Sequence, residues 1–497
     1  MGSIVSFLNF RKTDTTRASR QVRTRYGIVE GFRLDIGSGK DVDLFLGIPF
    51  AAPPVGELRF KKPQPPEKWE DVRKCVSFGP RAPQSDFFWE RITLGRKSED
   101  CLYLNVFTPA WKADDEEAGH TVMVYVHGGG YLIDSAVKYG DKGIAKYLCR
   151  HDVIVVTIQY RLGLLGFFST GDAVCDGNLG LWDMTMALQW VQDNIRAFGG
   201  NPNKVTVFGQ SAGGASVDML ALSPHSRDSL SLAENLLDAV DGKDPVTGMD
   251  VSKIGLDLAP IVGTSPEDFL PKGIDELRAE APRKKCLVGT CQHEGLLFAT
   301  LSPSHFNIRG LDKLLSVVIT PENHVNYEDL RRQARELYLS DVNLANKVEV
   351  ARAYVKLYSD LFVNNGTYNY VKKMTELGNR VYLYSFEFFN PQSFGILSIR
   401  MPFKGATHCT ELTYLFGVSI VFGFQFSEAD NKMIDLMTRN PNGPYEDSTV
   451  FDFMWEPTTK ENFSRYLRIN EKCEMRSNYE DRRAEFWKNI RITSKGT

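Results

Sequence analysis

Residues 204–222 constrain the fold most, because they combine a strand, a tight turn and a helix around one serine. Alternating β-branched residues at 205–207 predict a buried strand. The turn G-Q-S-A-G at 209–213 follows, and small and apolar residues then continue as a helix. This order is that of a nucleophile elbow, a strained turn that exposes the hydroxyl of Ser211. The alternative is a glycine-rich turn that carries an inert serine.

A second glycine-rich segment lies about 80 residues before the elbow. The sequence H-G-G-G-Y at 127–131 directly follows a strand pattern at 121–126. Consecutive glycines allow backbone N–H groups to point at one ligand atom, as in an oxyanion-binding loop. In isolation the motif is also compatible with a plain glycine turn. Combined with the elbow, it indicates a site where negative charge develops on a substrate.

Strand and helix patterns alternate through the middle of the chain. The run VIVVTIQY at 153–160 is apolar throughout, as in a parallel strand that is covered on both faces, and 183–198 has helical spacing. The sequence therefore predicts an α/β fold with a mostly parallel central sheet and helices on both faces. The remaining predictions are antiparallel strands at 26–49, strands at 101–107, 286–289 and 381–388, and helix at 229–240, over most of 303–375 and at the end of 463–490.

A serine hydroxyl becomes a nucleophile when a base takes its proton and an acid orients that base. In α/β-hydrolases the order along the chain is Ser, then Asp or Glu, then His. The histidines after the elbow are at 225, 293, 305, 324 and 408. His225 is too near the elbow helix to turn back. His305 and His324 lie in polar stretches, so we expect them to be solvated.

His408 is the base that the sequence favours, because it follows the strand at 381–388 by a loop. Parallel strands present such loops at their carboxyl edge. Glu294 follows the strand at 286–289 and is the candidate orienting acid. His293 stands directly beside this carboxylate and remains a rival base at this point.

Charge and cysteine usage exclude several classes of protein. The net charge of −3 gives no signature of nucleic-acid binding, so we predict no nucleic-acid partner. The longest apolar candidate for a membrane span, 412–426, is too short and contains polar residues. The eight cysteines have no C-x-x-C spacing, which favours free thiols over a zinc site. We therefore predict no metal and no cofactor.

The N-terminal residues carry a lipidation pattern. Residues 1–6, M-G-S-I-V-S, fit the N-myristoylation motif, with Gly2 as the acceptor. Residues 1–26 hold six basic residues against one Asp, and such a cluster supplies the second membrane signal that a single acyl chain needs. With no secretory signal pattern, this predicts an intracellular, cytoplasmic protein with a reversible peripheral membrane anchor. The alternative is a disordered basic arm. The predicted organisation is a basic arm at 1–21 and one domain at 22–497.

Motifs along almost the whole chain resemble those of the type-B carboxylesterases, the family that also contains the cholinesterases. The matching segments are F-L-G-I-P-F-A (45–51), P-P-V-G-x-x-R-F (53–60), S-E-D-C-L-Y-L-N (98–105), H-G-G-G-Y (127–131), Q-Y-R-L-G (159–163), A-L-Q-W-V (187–191), F-G-G-N-P (198–202), G-Q-S-A-G-G-A-S (209–216), E-G (294–295) and T-H-x-x-E-L (407–412). The resemblance implies an α/β-hydrolase fold and hydrolysis of a small-molecule carboxylic ester through an acyl-enzyme.

Specific site residues follow from the same resemblance. It implies Ser211 as nucleophile, Glu294 as acid and His408 as base. It also implies an oxyanion hole formed by the N–H groups of three residues, Gly129, Gly130 and Ala212. Arg59 and Glu99 match the positions of a structural salt bridge in the family.

The chain departs from the family pattern after the elbow helix. Members of the family have a strand there that ends in S-G-S, and this sequence lacks it, so we expect the strand to be missing, with 256–263 as a stand-in that the sequence does not establish. Cys101 remains, but Ala82 stands where its disulfide partner is expected. Two alternatives to an active esterase stay open: a catalytically silent interaction protein on the same scaffold, and a shortened inactive isoform.

Overall fold

Thirteen strands form one mixed sheet in the computed structural model, which describes residues 17–86, 94–172, 174–227, 235–237, 258–301, 306–419, 424–439 and 454–493. The strands are β1 (Ala18–Arg23), β2 (Ile28–Gly37), β3 (Lys40–Pro49), β4 (Arg73–Lys74), β5 (Tyr103–Pro109), β6 (His120–Val126), β7 (Val153–Ile158), β8 (Gly200–Gly209), β9 (Asn235–Leu237), β10 (Lys285–Cys291), β11 (Arg380–Phe386), β12 (Tyr466–Ile469) and β13 (Glu474–Arg476).

The centre of the sheet is parallel and its edges are antiparallel. The strand order is β1-β2-β3-β5-β7-β6-β8-β9-β10-β11-β12-β13, and β4 pairs with β2. All pairs from β7 through β12 in this order are parallel. The pairs that join β1, β2, β3, β5 and β7 are antiparallel, as is the pair β12–β13. The predicted mostly parallel sheet and the antiparallel strands at 26–49 are confirmed.

Twelve α-helices lie within the described residues. They are α1 (Gly163–Phe167), α2 (Leu179–Asn194), α3 (Ala212–Leu222), α4 (Ile274–Glu280), α5 (Gly295–Leu301), α6 (Ile308–Val318), α7 (Tyr327–Leu339), α8 (Lys347–Ser359), α9 (Asn365–Glu376), α10 (Thr410–Phe416), α11 (Glu428–Thr438) and α12 (Arg483–Thr493). Side chains cap several of them: Asn307 accepts from the first turn of α6, Asn346 does so for α8, and Ser427 forms a capping box at α11.

Helices cover both faces of the sheet, as the apolar central strands predict. Alternate residues of a strand point to opposite faces. In β6, Val122 and Val124 belong to the core shared with α2 and α3, whereas Met123 and Tyr125 belong to the core shared with α10. Every residue of β7 is buried, which explains its unbroken apolar sequence. A further core joins α5, α6, α7, α8 and α12.

The expectation of a missing strand beside the elbow is wrong. Strand β9 lies between β8 and β10, pairing with β10 over its three residues and with β8 through Leu237 and Gly209. This strand falls inside 229–240, for which the sequence predicted a helix; the remainder of that segment lies outside the described residues. The proposed stand-in is not a strand where it is described, from residue 258 onward, and residues 256 and 257 lie outside.

Four further sequence predictions concern the N-terminal arm, two histidines, the cysteines and a membrane span. Strand β1 begins at Ala18, so residues 18–21, assigned to the arm, are part of the sheet. His324 is 2% exposed, so the prediction that it is solvated is wrong, whereas His305 lies outside the described residues. All eight cysteines are described and none is in a disulfide, which agrees with the prediction of free thiols. No helix in the described ranges has the length and apolar character to span a bilayer.

Candidate active site

The predicted elbow lies between β8 and α3. Ser211 is the residue before α3, with φ 56° and ψ −128°, a strained backbone for a residue with a side chain. A Cβ on Gly209 would lie 2.5 Å from the Gly213 carbonyl carbon, and one on Gly213 would lie 2.1 Å from the Val126 oxygen. Because neither position has room for a side chain, the turn requires both glycines.

The H-G-G-G loop lies directly against this turn. A Cβ on Gly128 would come within 3.0 Å of Ser211 Cβ, which leaves no space between loop and elbow. Gly129 and Gly130 have φ angles of 96° and 60°. In the described part of the chain, no acceptor takes a hydrogen bond from the N–H groups of Gly129, Gly130 or Ala212. The three predicted oxyanion donors are therefore free to bind a ligand, but their role stays a prediction.

Glu294 and His408 are in direct contact. His408 Nδ1 lies 2.6 Å from Glu294 Oε2, while Glu294 Oε1 accepts a hydrogen bond of 2.6 Å from the N–H of Cys291. Glu294 follows β10 and is fully buried, and His408 precedes α10 and is 5% exposed. The structure thus joins the acid and base that the sequence selected.

Thr407 fixes these two loops to each other. Its hydroxyl donates to the carbonyl of His293 at 2.8 Å and accepts from the N–H of Leu297 at 2.9 Å. The N–H of His293 also donates to the carbonyl of Ala406. These bonds hold the segment that carries Glu294 against the segment that carries His408. Thr407 occurs in the T-H-x-x-E-L motif, but sequence reasoning gave it no role.

The structure does not support His293 as the base. Its ring packs against Phe403 with centroids 5.0 Å apart and against Gly405. Burial, with Arg352 and Lys356 nearby, lowers the pKa of His293 to about 4. The His293 ring is therefore a packing element beside the site, whereas the His408 ring contacts Glu294.

His408 lies in an electrostatic setting that favours its protonated form. Burial opposes a positive charge on the imidazole, but Cys409 and the Glu294 carboxylate outweigh burial and raise the pKa of His408 well above its usual value. Burial raises the pKa of the Cys409 thiol, and the charge of His408 and its hydrogen bond with the thiol act in the opposite direction. Nearby, the Cys291 thiol donates to buried Glu411 at 2.8 Å, and burial together with Glu294 raises the pKa of Glu411.

Gln210 is a member of the site that sequence reasoning missed. It is 3% exposed, and its side-chain Nε2 lies 2.9 Å from His408 Nε2. Ser211 is therefore next in the chain to a residue that contacts the base. Within the described residues, no group shares a hydrogen bond with the Ser211 hydroxyl itself. The G-x-S-x-G motif places Gln210 beside the serine, but it does not show which way the Gln210 side chain turns.

A small, partly open cavity borders His408. Its lining combines apolar and hydroxyl side chains, including Leu297, Phe394, Thr413 and Phe424. Among the described residues that line it, none is Lys, Arg, Asp or Glu. The cavity therefore suits an uncharged group next to the imidazole.

Two ion pairs stand apart from this chemistry. Arg59 pairs with Glu99 through two hydrogen bonds of 2.6 and 2.9 Å near the surface, where the resemblance placed a structural salt bridge. Arg161 and Asp183 form a second bidentate pair that is almost fully buried. Both connect segments of the scaffold.

Comparison with known proteins agrees with this architecture. A profile described as the carboxylesterase family matches residues 18–234 and 231–487. Esterase cest-33 of Caenorhabditis elegans is 37% identical over 504 residues, which cover 90% of each chain. Gut esterase 1 of Caenorhabditis briggsae is 30% identical over 535 residues, or 95% of this chain and 92% of that one. Liver carboxylesterase 1 of Oryctolagus cuniculus is 46% identical over 219 residues, or 42% of this chain and 38% of that one.

The fold and the site geometry together define an α/β-hydrolase. The chain belongs to the carboxylesterase family. The predictions of an α/β-hydrolase fold and of a carboxylic ester hydrolase are thereby confirmed.

Proposed function

We propose that the chain hydrolyses uncharged carboxylic esters through an acyl-enzyme on Ser211, with His408 as general base and Glu294 as its orienting acid. The observation that carries this proposal is the 2.6 Å contact between His408 Nδ1 and Glu294 Oε2. The same imidazole contacts Gln210, the residue directly before the elbow serine. A carboxylate on Nδ1 holds the proton at that nitrogen and leaves a lone pair on Nε2.

The reaction begins when Nε2 of His408 removes the Ser211 proton. Oγ then attacks the ester carbonyl, and the resulting oxyanion accepts hydrogen bonds from the N–H groups of Gly129, Gly130 and Ala212. Loss of one such donor typically costs about 2.7–4 kcal/mol of transition-state stabilisation. The imidazolium returns its proton to the leaving alcohol. Water then repeats the sequence on the acyl-enzyme, with His408 as base, and releases the acid and Ser211.

The surroundings of His408 support an uncharged substrate. Apart from His408 itself, the described side chains that line the cavity beside the ring are uncharged, chiefly apolar and hydroxyl groups. Burying an unpaired charge there would be costly. A neutral group beside the ring avoids this cost.

Turnover of a short-chain chromogenic ester, together with labelling by an organophosphonate probe, tests this proposal. Ser211→Ala is expected to abolish both turnover and labelling. Ser216→Ala is the matched control, because Ser216 lies in α3, the helix that follows Ser211, and its hydroxyl donates to the carbonyl of Ala212. A folded wild-type protein with neither turnover nor an adduct on Ser211 would instead be a silent scaffold.

We also propose that Gly2 carries an N-terminal acyl group that gives reversible membrane contact. Gly2 and the other residues up to 16 lie outside the described residues. Of the six basic residues, Arg17, Arg20 and Arg25 already pair with acidic side chains, so they contribute less attraction to anionic lipid than their charge implies. Intact-mass measurement after expression in eukaryotic cells tests the acylation, and an unmodified Gly2 would refute it.

A further inference from the structure

The side chain of Gln210 lies between the base and the oxyanion loop. Its Nε2 lies 2.9 Å from His408 Nε2, and its Oε1 faces the loop, 2.7 Å from the point where a Gly128 Cβ would stand. Its backbone carbonyl accepts from the N–H of Gly213, so the elbow fixes the residue at its main chain. The side chain is buried, which restricts it to this position between ring and loop.

An amide suits this position because the base changes its protonation state. A neutral imidazole presents a lone pair at Nε2, to which the amide N–H donates. An imidazolium presents N–H at the same atom, to which the amide oxygen becomes the partner after a half-turn of the terminal bond. A carboxylate would accept only, and an apolar side chain would do neither.

The titratable groups that face His408 act on its other side or on its charge. Glu294, from the β10–α5 connection, bonds Nδ1. Cys409, directly before α10, interacts with the ring through a side-chain hydrogen bond as well as by charge, and Glu411 in α10 contributes electrostatically. The hydrogen bond at Nε2 is with Gln210, so this side chain holds the atom that must receive the Ser211 proton.

We propose that Gln210 is a positioning residue that holds the His408 ring by Nε2 in both protonation states and yields Nε2 to Ser211 when the ester binds. This inference rests on the proposed function, because it assigns Gln210 a part in the same reaction. The proposal explains why His408 is hydrogen-bonded to the amide of Gln210 in the absence of substrate, although Ser211 is the residue next to Gln210 in the chain.

Two substitutions test the proposal through pH–rate profiles of ester hydrolysis. Gln210→Glu places an anion at Nε2, and its carboxylate favours the imidazolium, so the acid limb of kcat/KM is expected to move up by about one pH unit or more. Gln210→Met is nearly isosteric and loses the hydrogen bond, so kcat is expected to fall about tenfold at unchanged KM. A structural role alone would lower the melting temperature without either effect.

Gln159→Met is the matched control. Gln159 is also buried, and its amide donates to the carbonyl of Pro80, away from His408. Its acid limb and kcat are expected to equal those of the wild type. An acid limb in Gln210→Glu that coincides with the wild type, or an unchanged kcat in Gln210→Met, would overturn the proposal; if Gln210→Glu does not fold, the Met variant decides. Absence of wild-type turnover would count against the proposed function instead.

Discussion

Glu294 and His408 are 114 positions apart in the chain, yet Oε2 of one and Nδ1 of the other lie 2.6 Å apart in the buried interior. Glu294 follows β10 and directly precedes α5, and His408 follows the loop after β11 and precedes α10. Both therefore lie at the carboxyl edge of the sheet. The two loops are also held together by the hydroxyl of Thr407, which adds two hydrogen bonds to the contact between Glu294 and His408. The contact is therefore built into the scaffold before any substrate binds.

Glu294→Gln tests the contribution of the carboxylate. The amide keeps the shape but removes the charge that stabilises the imidazolium, and it allows the wrong imidazole tautomer. We expect kcat to fall by about 10³–10⁴-fold with little change in KM. Steady-state kinetics measure this effect. Glu387→Gln, in a remote pair with Arg468, is the control, and equal kcat values for the two variants would contradict the assignment.

The pH dependence of activity follows from the raised pKa of His408. The neutral imidazole is the active base, so kcat/KM is expected to increase with pH until the solution passes that pKa, and to be low in acid. The optimum should therefore lie on the alkaline side of neutrality. A profile that is flat or falls from pH 6 to pH 8 would contradict this expectation.

Gly213→Ala tests whether the elbow needs glycine. The new Cβ would lie 2.1 Å from the Val126 oxygen, which is backbone and has little freedom to retreat. We expect a loss of about 3 kcal/mol in the free energy of unfolding and a loss of turnover. Chemical denaturation measures the former. Gly273→Ala is the control, because its nearest neighbour would be the tip of Glu276 at 3.8 Å, and it should change stability by less than about 0.5 kcal/mol.

The two ion pairs of the scaffold should differ strongly in their contribution. Asp183→Ala leaves the buried guanidinium of Arg161 without its partner and is expected to cost about 3–5 kcal/mol. Glu99→Ala breaks a pair that is 43% and 32% exposed, so we expect about 0–1 kcal/mol. Denaturant midpoints compare the two. Similar losses would mean that burial does not determine their effect.

His293 should make the protein sensitive to acid. Its pKa is about 4 when folded and about 6.5 when unfolded, so the unfolded chain binds the proton more tightly. The corresponding stability is present above pH 6.5 and is lost as the pH falls towards 4. The loss should reach roughly 3 kcal/mol, at 1.36 kcal/mol per pKa unit. In His293→Asn the decline between pH 6.5 and pH 4 should be shallower, and an identical slope would refute the attribution.

Local sequence patterns predicted the parts of the fold that depend on local rules. The β-branched run before Ser211 and the apolar run at 153–160 are strands because their side-chain pattern matches the burial of the central sheet. The sequence pattern failed for β9, where pairing with neighbouring strands determines the secondary structure. The three residues of β9 have no periodicity of their own and are strand because β8 and β10 lie on either side.

The candidate site shows the same division. The order of Ser211, Glu294 and His408 was available from the sequence, because it reflects the order of strands. The contact of Gln210 with His408 was not available from the sequence, because it depends on the direction in which the Gln210 side chain leaves the elbow. The burial of His324 was hidden for a similar reason, because its neighbours in sequence are polar while its neighbours in space are not specified by sequence.

Strand β9 also sets a lower limit on how far this sheet is able to shrink. Three residues, with one of them opposite Gly209, are enough to fill the gap between β8 and β10. The backbone beside the elbow is therefore completed by a spacer of strand width that is only three residues long.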